Sequence, residues 1–267
     1  MSTRILVIQH ENECPIGFLG TPLAEAGLEV DSLMAHQGRP IPAALTDHDA
    51  LIVLGGEMGA LDDDVAPWLP AVRRLIAGTV GAGLPYLGVC LGHQLAAVAL
   101  GGEIGKNPAG QARGLTAYQP NDEGLADPLM SAASSGSLAV QWNGDVITQM
   151  PPRAQPLAFA PDGSIQAVRF APLAWGVQFH PEAGASIFRS WTTEKPSAQE
   201  ARADGIDIFA LADAIEAHEP SIKEEWAGLA ARFAQVVVEN AAQPPSTQMR
   251  TASPGTNGSD GRSSTRA

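Results

Sequence analysis

The chain has 267 residues, 45% of them apolar, which suits one large α/β domain or two small ones with a full core. Its 29 acidic against 16 basic side chains give a net charge of −13, a field that repels phosphate backbones and anionic lipid, so nucleic acid and membrane are excluded as expected partners. Two cysteines cannot build a disulfide framework, no stretch is long and apolar enough to span a bilayer, and MSTRILVIQHENE lacks the apolar core of a secretory signal, so the expected compartment is the cytosol.

In chain order, RILVI at 4 to 8 is a short β-branched run that reads as a strand, and PIGFLGTPLAEAG has helical spacing closed by Gly27. LEVDSL at 28 to 33 and ALIVLGG at 50 to 56 follow as strands. VAPWLPAVRRLIAGTVGAG reads as an amphipathic helix, LPYLGV as a buried strand and LGHQLAAVALGG as a helix ended by glycines. This alternation predicts a parallel sheet with helices on both faces. From about 102 to 179 the chain is richer in Gly and Pro, and SLAVQW, PLAFA, SIQAVRF and LAWGVQF predict antiparallel strands, so the second half of the sheet is expected to be mixed. From 183 to 240 the pattern is helical, with GIDIFALADAIEAHE and IKEEWAGLAARFAQVVVENA as two helices. Residues 241–267, rich in Pro, Ser, Gly and Thr, are expected to be a disordered tail behind a single domain over 1–240.

The sharpest local feature is GVCLG at 88 to 92, a cysteine between glycines at the junction of a buried strand and a helix. Small flanking residues permit the tight, strained turn of a nucleophile elbow, which lifts the side chain out at the top of the sheet. Cys90 then sits at a helix N-terminus, whose partial positive charge favours a thiolate, and the N–H of Leu91 is available to an oxyanion. A buried structural cysteine is the commoner fate of a free thiol, but strand, Gly-x-Cys-x-Gly and helix together weigh against it. Such a nucleophile needs a histidine to carry its proton and a third group to orient that histidine. WGVQFHPEA supplies both: His180 as base, and Glu182, across a stiffening proline, as the group that fixes its tautomer. Taken alone, a histidine at a strand end is more often a packing or solvated residue, and Pro-Glu is a common helix start.

GVCLGHQLA followed far downstream by QFHPE resembles the class I glutamine amidotransferases, and LIVLGGEMGALDDDVAPWL with WNGDVITQMPP is similar to the free-standing, GMP-synthase-like branch of that family. The resemblance runs from about residue 4 to 240. It implies an α/β, flavodoxin-like fold, a Cys-His-Glu triad of Cys90, His180 and Glu182, and a γ-glutamyl thioester intermediate. It further implies oxyanion donors at Gly56 and Leu91, a substrate contact at Gln94, and substrate-holding backbone around Arg113, Gly114 and Leu115. Many members of that branch read Trp-His-Gly-Asp where this chain has Trp142-Asn143-Gly144-Asp145, so a role for that histidine is lost here. Cys14, His10 and His36 match nothing catalytic and are expected to be structural or surface residues.

The expected function is an amidase acting on the γ-amide of glutamine or of a γ-glutamyl compound, with no cofactor and no metal. No phosphate-cradling loop or pyrophosphatase-like run follows residue 183, so ammonia transfer would need a separate synthase subunit. The alternatives are a γ-glutamyl peptidase or hydrolase that acts alone through the same thioester, and a non-catalytic scaffold of the same fold, against which the complete triad counts.

Overall fold

The computed structural model describes residues 2–193 and 195–242. Its first half runs β1 (Arg4–Gln9), α1 (Gly20–Glu25), β2 (Glu29–Met34), β3 (Ala50–Val53), α2 (Leu69–Gly81), β4 (Tyr86–Val89) and α3 (Leu91–Ala99). A stretch of short strands follows: β5 (Glu103–Lys106), β6 (Ala112–Ala117), β7 (Gln119–Pro120), then helix α4 (Asp122–Ala126), β8 (Leu138–Asn143), β9 (Asp145–Gln149), β10 (Gln155–Phe159), β11 (Ile165–Ala171) and β12 (Ala174–Val177). Helices α5 (Ala185–Trp191), α6 (Pro196–Ala203) and α7 (Ile208–Ala241) close the described chain. No described helix is long and apolar enough to cross a membrane.

The main sheet has the order β2-β1-β3-β4-β12-β11-β10-β7. The five strands from β2 to β12 are parallel to their neighbours, and β11, β10 and β7 extend the sheet antiparallel. The inner strands are covered on both faces, which is why they are short apolar runs instead of alternating ones. In β1, Ile5 and Val7 face one core with Phe188, Trp226 and Phe233, while Leu6 and Ile8 face the other with Leu75, Ile76 and Leu95. The first core lies under α1, α5 and α7 and the second under α2 and α3. Two antiparallel ribbons, β5 with β9 and β6 with β8, stand outside the main sheet.

Two expectations change. The two helices expected over 205–240 are one helix, α7, with Pro220 inside it. An interior proline costs about 3 kcal/mol, and α7 offsets it by burying apolar side chains on both sides of the proline, among them Ala212 and Ile215 before it and Ile222 and Trp226 after it. The strand at 174–177 is parallel to β4 on one side and antiparallel to β11 on the other, so it belongs to both halves of the sheet. The expected disordered tail falls, from residue 243 onward, outside the described residues.

The loops after β1, β3, β4 and β12 all leave the carboxyl ends of parallel strands. A doubly wound sheet gathers its functional residues on that edge.

Candidate active site

Cys90 is the residue before the first turn of α3 and has φ 48°, ψ −102°. A non-glycine residue at positive φ costs on the order of 1–3 kcal/mol and persists only where its surroundings hold it. Here its N–H donates to Val177 O at 2.8 Å and its carbonyl accepts from Gln94 N at 3.0 Å. The flanking glycines are required by close approach. A Cβ on Gly92 would lie 2.0 Å from Val53 O, and one on Gly88 would lie 2.6 Å from the Tyr86 hydroxyl and 2.7 Å from Gly92 C. Gly92→Ala must therefore push α3 off β3. The expected result is a loss of at least about 2 kcal/mol of stability with an elbow out of register, read as a lower Tm and slower alkylation of Cys90. A variant as stable and as reactive as the natural chain would show that the contact is not tight.

His180 and Glu182 lie in the turn after β12, their backbones tied into the fold by His180 N donating to Val140 O and Phe18 N donating to Glu182 O. His180 is 3% exposed and Glu182 fully buried, and imidazole Nδ1 lies 2.7 Å from Glu182 Oε1. The same imidazole is hydrogen-bonded to the Cys90 side chain, which is itself 5% exposed. The Trp191 ring packs on the imidazole at 4.4 Å between centroids. Burial works against a charged His180, but the charges of Glu182 and Cys90 and their hydrogen bonds outweigh it and raise its pKa to about 10. The site thus favours an imidazolium between two anionic partners.

That shift makes a stability prediction. An ordinary imidazole titrates near 6.5 and this one near 10, so the folded state holds an extra proton between those values. The stabilisation is complete below the lower value and is lost as pH rises through the upper one. Glu182→Gln should therefore cost more stability near pH ~6 than above pH ~10, measured from denaturant midpoints. An equal cost at both would contradict a charged His180.

The remaining expected residues divide. Gly56 lines the cavity in front of Cys90, and a Cβ there would lie 3.1 Å from Leu91 Cδ2. Leu91 opens α3, so its N–H has no acceptor within the helix. Gln94 is buried, with Nε2 donating to Asp145 O at 3.0 Å and to Gln178 Oε1 at 3.3 Å. Gln178 Nε2 lies 3.7 Å from Cys90 Sγ. Arg113, Gly114 and Leu115 do not line the cavity. In β6 they are turned elsewhere: Arg113 pairs with Asp204 at 3.0 Å, Gly114 packs against Leu211, and Leu115 packs on the core. Gln111, just before β6, lines the cavity instead.

Several lining residues were not singled out by sequence reasoning. Glu11 and Cys14 come from the loop after β1, Glu57 and Asp62 from the loop after β3, and Lys195, Ser197 and Glu200 from the segment around α6. Gln178, in the QFHPE motif, was legible in principle. The cavity encloses about 420 Å³. Cys14 is buried on its wall, not a surface residue, with Sγ donating to Glu11 Oε1 at 3.1 Å. Burial, then the charge of Glu11 and the hydrogen bond to it, push its thiol well above the ordinary range, so it stays protonated and inert near neutral pH. His10 is buried too; its Nδ1 accepts from Trp68 Nε1 at 3.0 Å, and burial followed by the charge of His36 lowers its pKa to about 3, so it is a neutral structural acceptor. Among the described residues no group of three or more His, Cys, Asp or Glu side chains is placed to hold a metal ion.

Comparison with known proteins gives this geometry a setting. A glutamine amidotransferase from Thermotoga maritima has the same fold, with a TM-score of 0.77 and 25% identity over 88% of this chain and 99% of that one. Among curated proteins, the chain is 36% identical to an aminodeoxychorismate synthase of Streptomyces griseus over 43% of its own length and 16% of the synthase. It is 30% identical to a glutamine-hydrolysing GMP synthase of Aeropyrum pernix over 58% of its length and 28% of that enzyme. Similarity to a free-standing subunit of the glutamine-hydrolysing GMP synthase of Sulfurisphaera tokodaii, at 30% identity, covers 55% of this chain and 77% of that subunit. The matched stretch thus spans less than a third of the two larger synthases. The family described as Glutamine amidotransferase class-I matches residues 21–193, well over half of the chain. On that match, and on a fold shared along most of its length, the chain belongs to the class I glutamine amidotransferases.

Proposed function

We propose that the protein is an amidase that cleaves the γ-amide of glutamine or of a γ-glutamyl compound, with Cys90 as nucleophile, His180 as acid and base, and Glu182 as its orienting partner. The observation that carries this reading is the buried chain from Cys90 through His180 to Glu182, with 2.7 Å between the last two. Cys90 Sγ attacks the amide carbon, and the oxyanion that develops is received by N–H groups at Leu91 and Gly56. His180 delivers its proton to the departing nitrogen as the C–N bond breaks, leaving a γ-glutamyl thioester. A water molecule, deprotonated by His180, then attacks the thioester, releasing glutamate and restoring the thiol. Glu182 keeps the imidazole in the tautomer whose other nitrogen faces sulfur.

A γ-glutamyl amine is favoured over glutamine by one observation. The cavity, at about 420 Å³, falls within the roughly 300–1,000 Å³ of clefts that take ligands of drug size, more than a single carboxamide needs. Ammonia transfer to a separate synthase partner is the second reading, supported by the likeness to a free-standing subunit of a GMP synthase. The test is a screen of the purified chain against glutamine, γ-glutamyl amines and γ-glutamyl peptides, following release of amine and glutamate. Turnover of any of them that disappears in Cys90→Ala is expected; turnover unchanged by that substitution would overturn the proposal.

A further inference from the structure

The cavity beside Cys90 is more acidic than a neutral carboxamide calls for. Its wall carries five carboxylates, those of Glu11, Glu57, Asp62, Asp145 and Glu200, against two ammonium groups. Both ammonium groups are already held, Lys106 Nζ 2.9 Å from Asp145 and Lys195 Nζ 2.7 Å from Glu11. Glu57 and Glu200 reach a cation only at 3.9 Å. Asp62 accepts the Gly59 N–H at 2.7 Å, a contact that leaves its charge uncompensated. An independent feature points the same way. On the same wall Asn143 Oδ1 is buried with no hydrogen-bond partner, and a buried acceptor in that state lacks a donor. Met58 and Trp142 supply apolar surface among these groups, against which an alkyl chain can pack.

Building on the amidase reading, we propose that the leaving group is a cationic alkylamine. The substrate class is then the γ-glutamyl amide of a diamine or polyamine, with the amide carbon at Cys90 and the distal ammonium received by Glu57, Asp62 and Glu200. The amide C–N bond breaks, the departing nitrogen takes the proton from His180, and the distal ammonium keeps its charge throughout. A γ-glutamyl compound ending in a carboxylate would meet like charge at the same place. Part of this preference is screened, because Glu57 and Glu200 are partly open to solvent, with side chains 26% and 57% exposed.

Three γ-glutamyl amides of matched length test the proposal with the full chain: those of diaminobutane, of pentylamine and of aminovaleric acid, which end in an ammonium, a methyl and a carboxylate. The expected kcat/KM falls in that order, with at least about a tenfold gap between the first two at low salt that narrows as salt is added. In the Glu57→Gln/Glu200→Gln protein the ratio of the first to the second should drop severalfold. Dissociation constants of the same compounds with the Cys90→Ala protein should keep the order without any turnover. Equal binding and equal turnover of the cationic and neutral amides, or preference for the anionic one, would overturn the proposal. A ratio untouched by the double substitution would overturn the assignment of these carboxylates. Preferred binding of the cationic amide without turnover of it or of glutamine would uphold the cation site while removing the amidase reading beneath it.

Discussion

His180→Ala is expected to lose nearly all turnover, and Glu182→Gln only about ten- to a hundredfold of it. No other described group makes both contacts that His180 makes, to Cys90 on one side and Glu182 on the other. Without it, no proton reaches the departing amine. Glutamine at 182 keeps an acceptor for Nδ1 but removes the negative charge that holds the imidazolium. A charge-assisted hydrogen bond of this kind is worth on the order of 1.5–3 kcal/mol. His180→Ala also strands a fully buried carboxylate whose second oxygen already lacks a partner, a change of the kind that costs about 3–5 kcal/mol of stability. His180→Gln, which restores an N–H for Glu182, should therefore be run beside it so that lost activity is separated from lost fold. Measured kcat/KM decides: Glu182→Gln as inactive as His180→Ala would make the glutamate more than an orienting group, and a fully active Glu182→Gln would place the third member elsewhere.

Cys90→Ala is expected to abolish amide cleavage while leaving the fold intact. The substitution removes one sulfur atom from a site already held by backbone bonds to Val177 and Gln94, so the cavity it creates is small. The strained φ of 48° is retained, because alanine is no freer there than cysteine. Cys90→Gly differs: it relieves the strain at positive φ, and a gain in Tm with complete loss of activity would separate what the elbow costs in stability from what it gives in chemistry. Residual cleavage by either variant above a small fraction of the natural rate would place the nucleophile elsewhere.

Much of the parallel half of the sheet was legible because strands buried on both faces leave an apolar run of four to six residues with no polar alternation. RILVI and ALIV are such runs, and the elbow announces itself through the two glycines that β3 and β4 press against. The ribbons were less legible. β5 (EIGK) and β6 (ARGLTA) are half-exposed and contain glycine, and their pairing with β9 and β8 is a long-range contact that local pattern does not encode. Pro220 misled in the opposite direction, suggesting a break where packing keeps α7 whole. In the site, Cys90, His180 and Glu182 stand out because each sits in a compact motif. The acidic wall does not: Glu11, Glu57 and Glu200 come from three loops and helices far apart in sequence, and only the fold joins them in one cavity. Arg113 shows the converse, a basic side chain near a glycine turn that the fold commits to Asp204.

The central claim is that one thiol of two carries the chemistry. It is tested most directly by intact-protein and peptide mass spectrometry after treatment with a glutamine-analogue electrophile near neutral pH. Cys90 is expected to take up one equivalent, because His180 beside it is held as a cation, and Cys14 none, because burial and Glu11 keep its thiol protonated. Label on Cys14, or label that persists in the Cys90→Ala protein, would contradict the account.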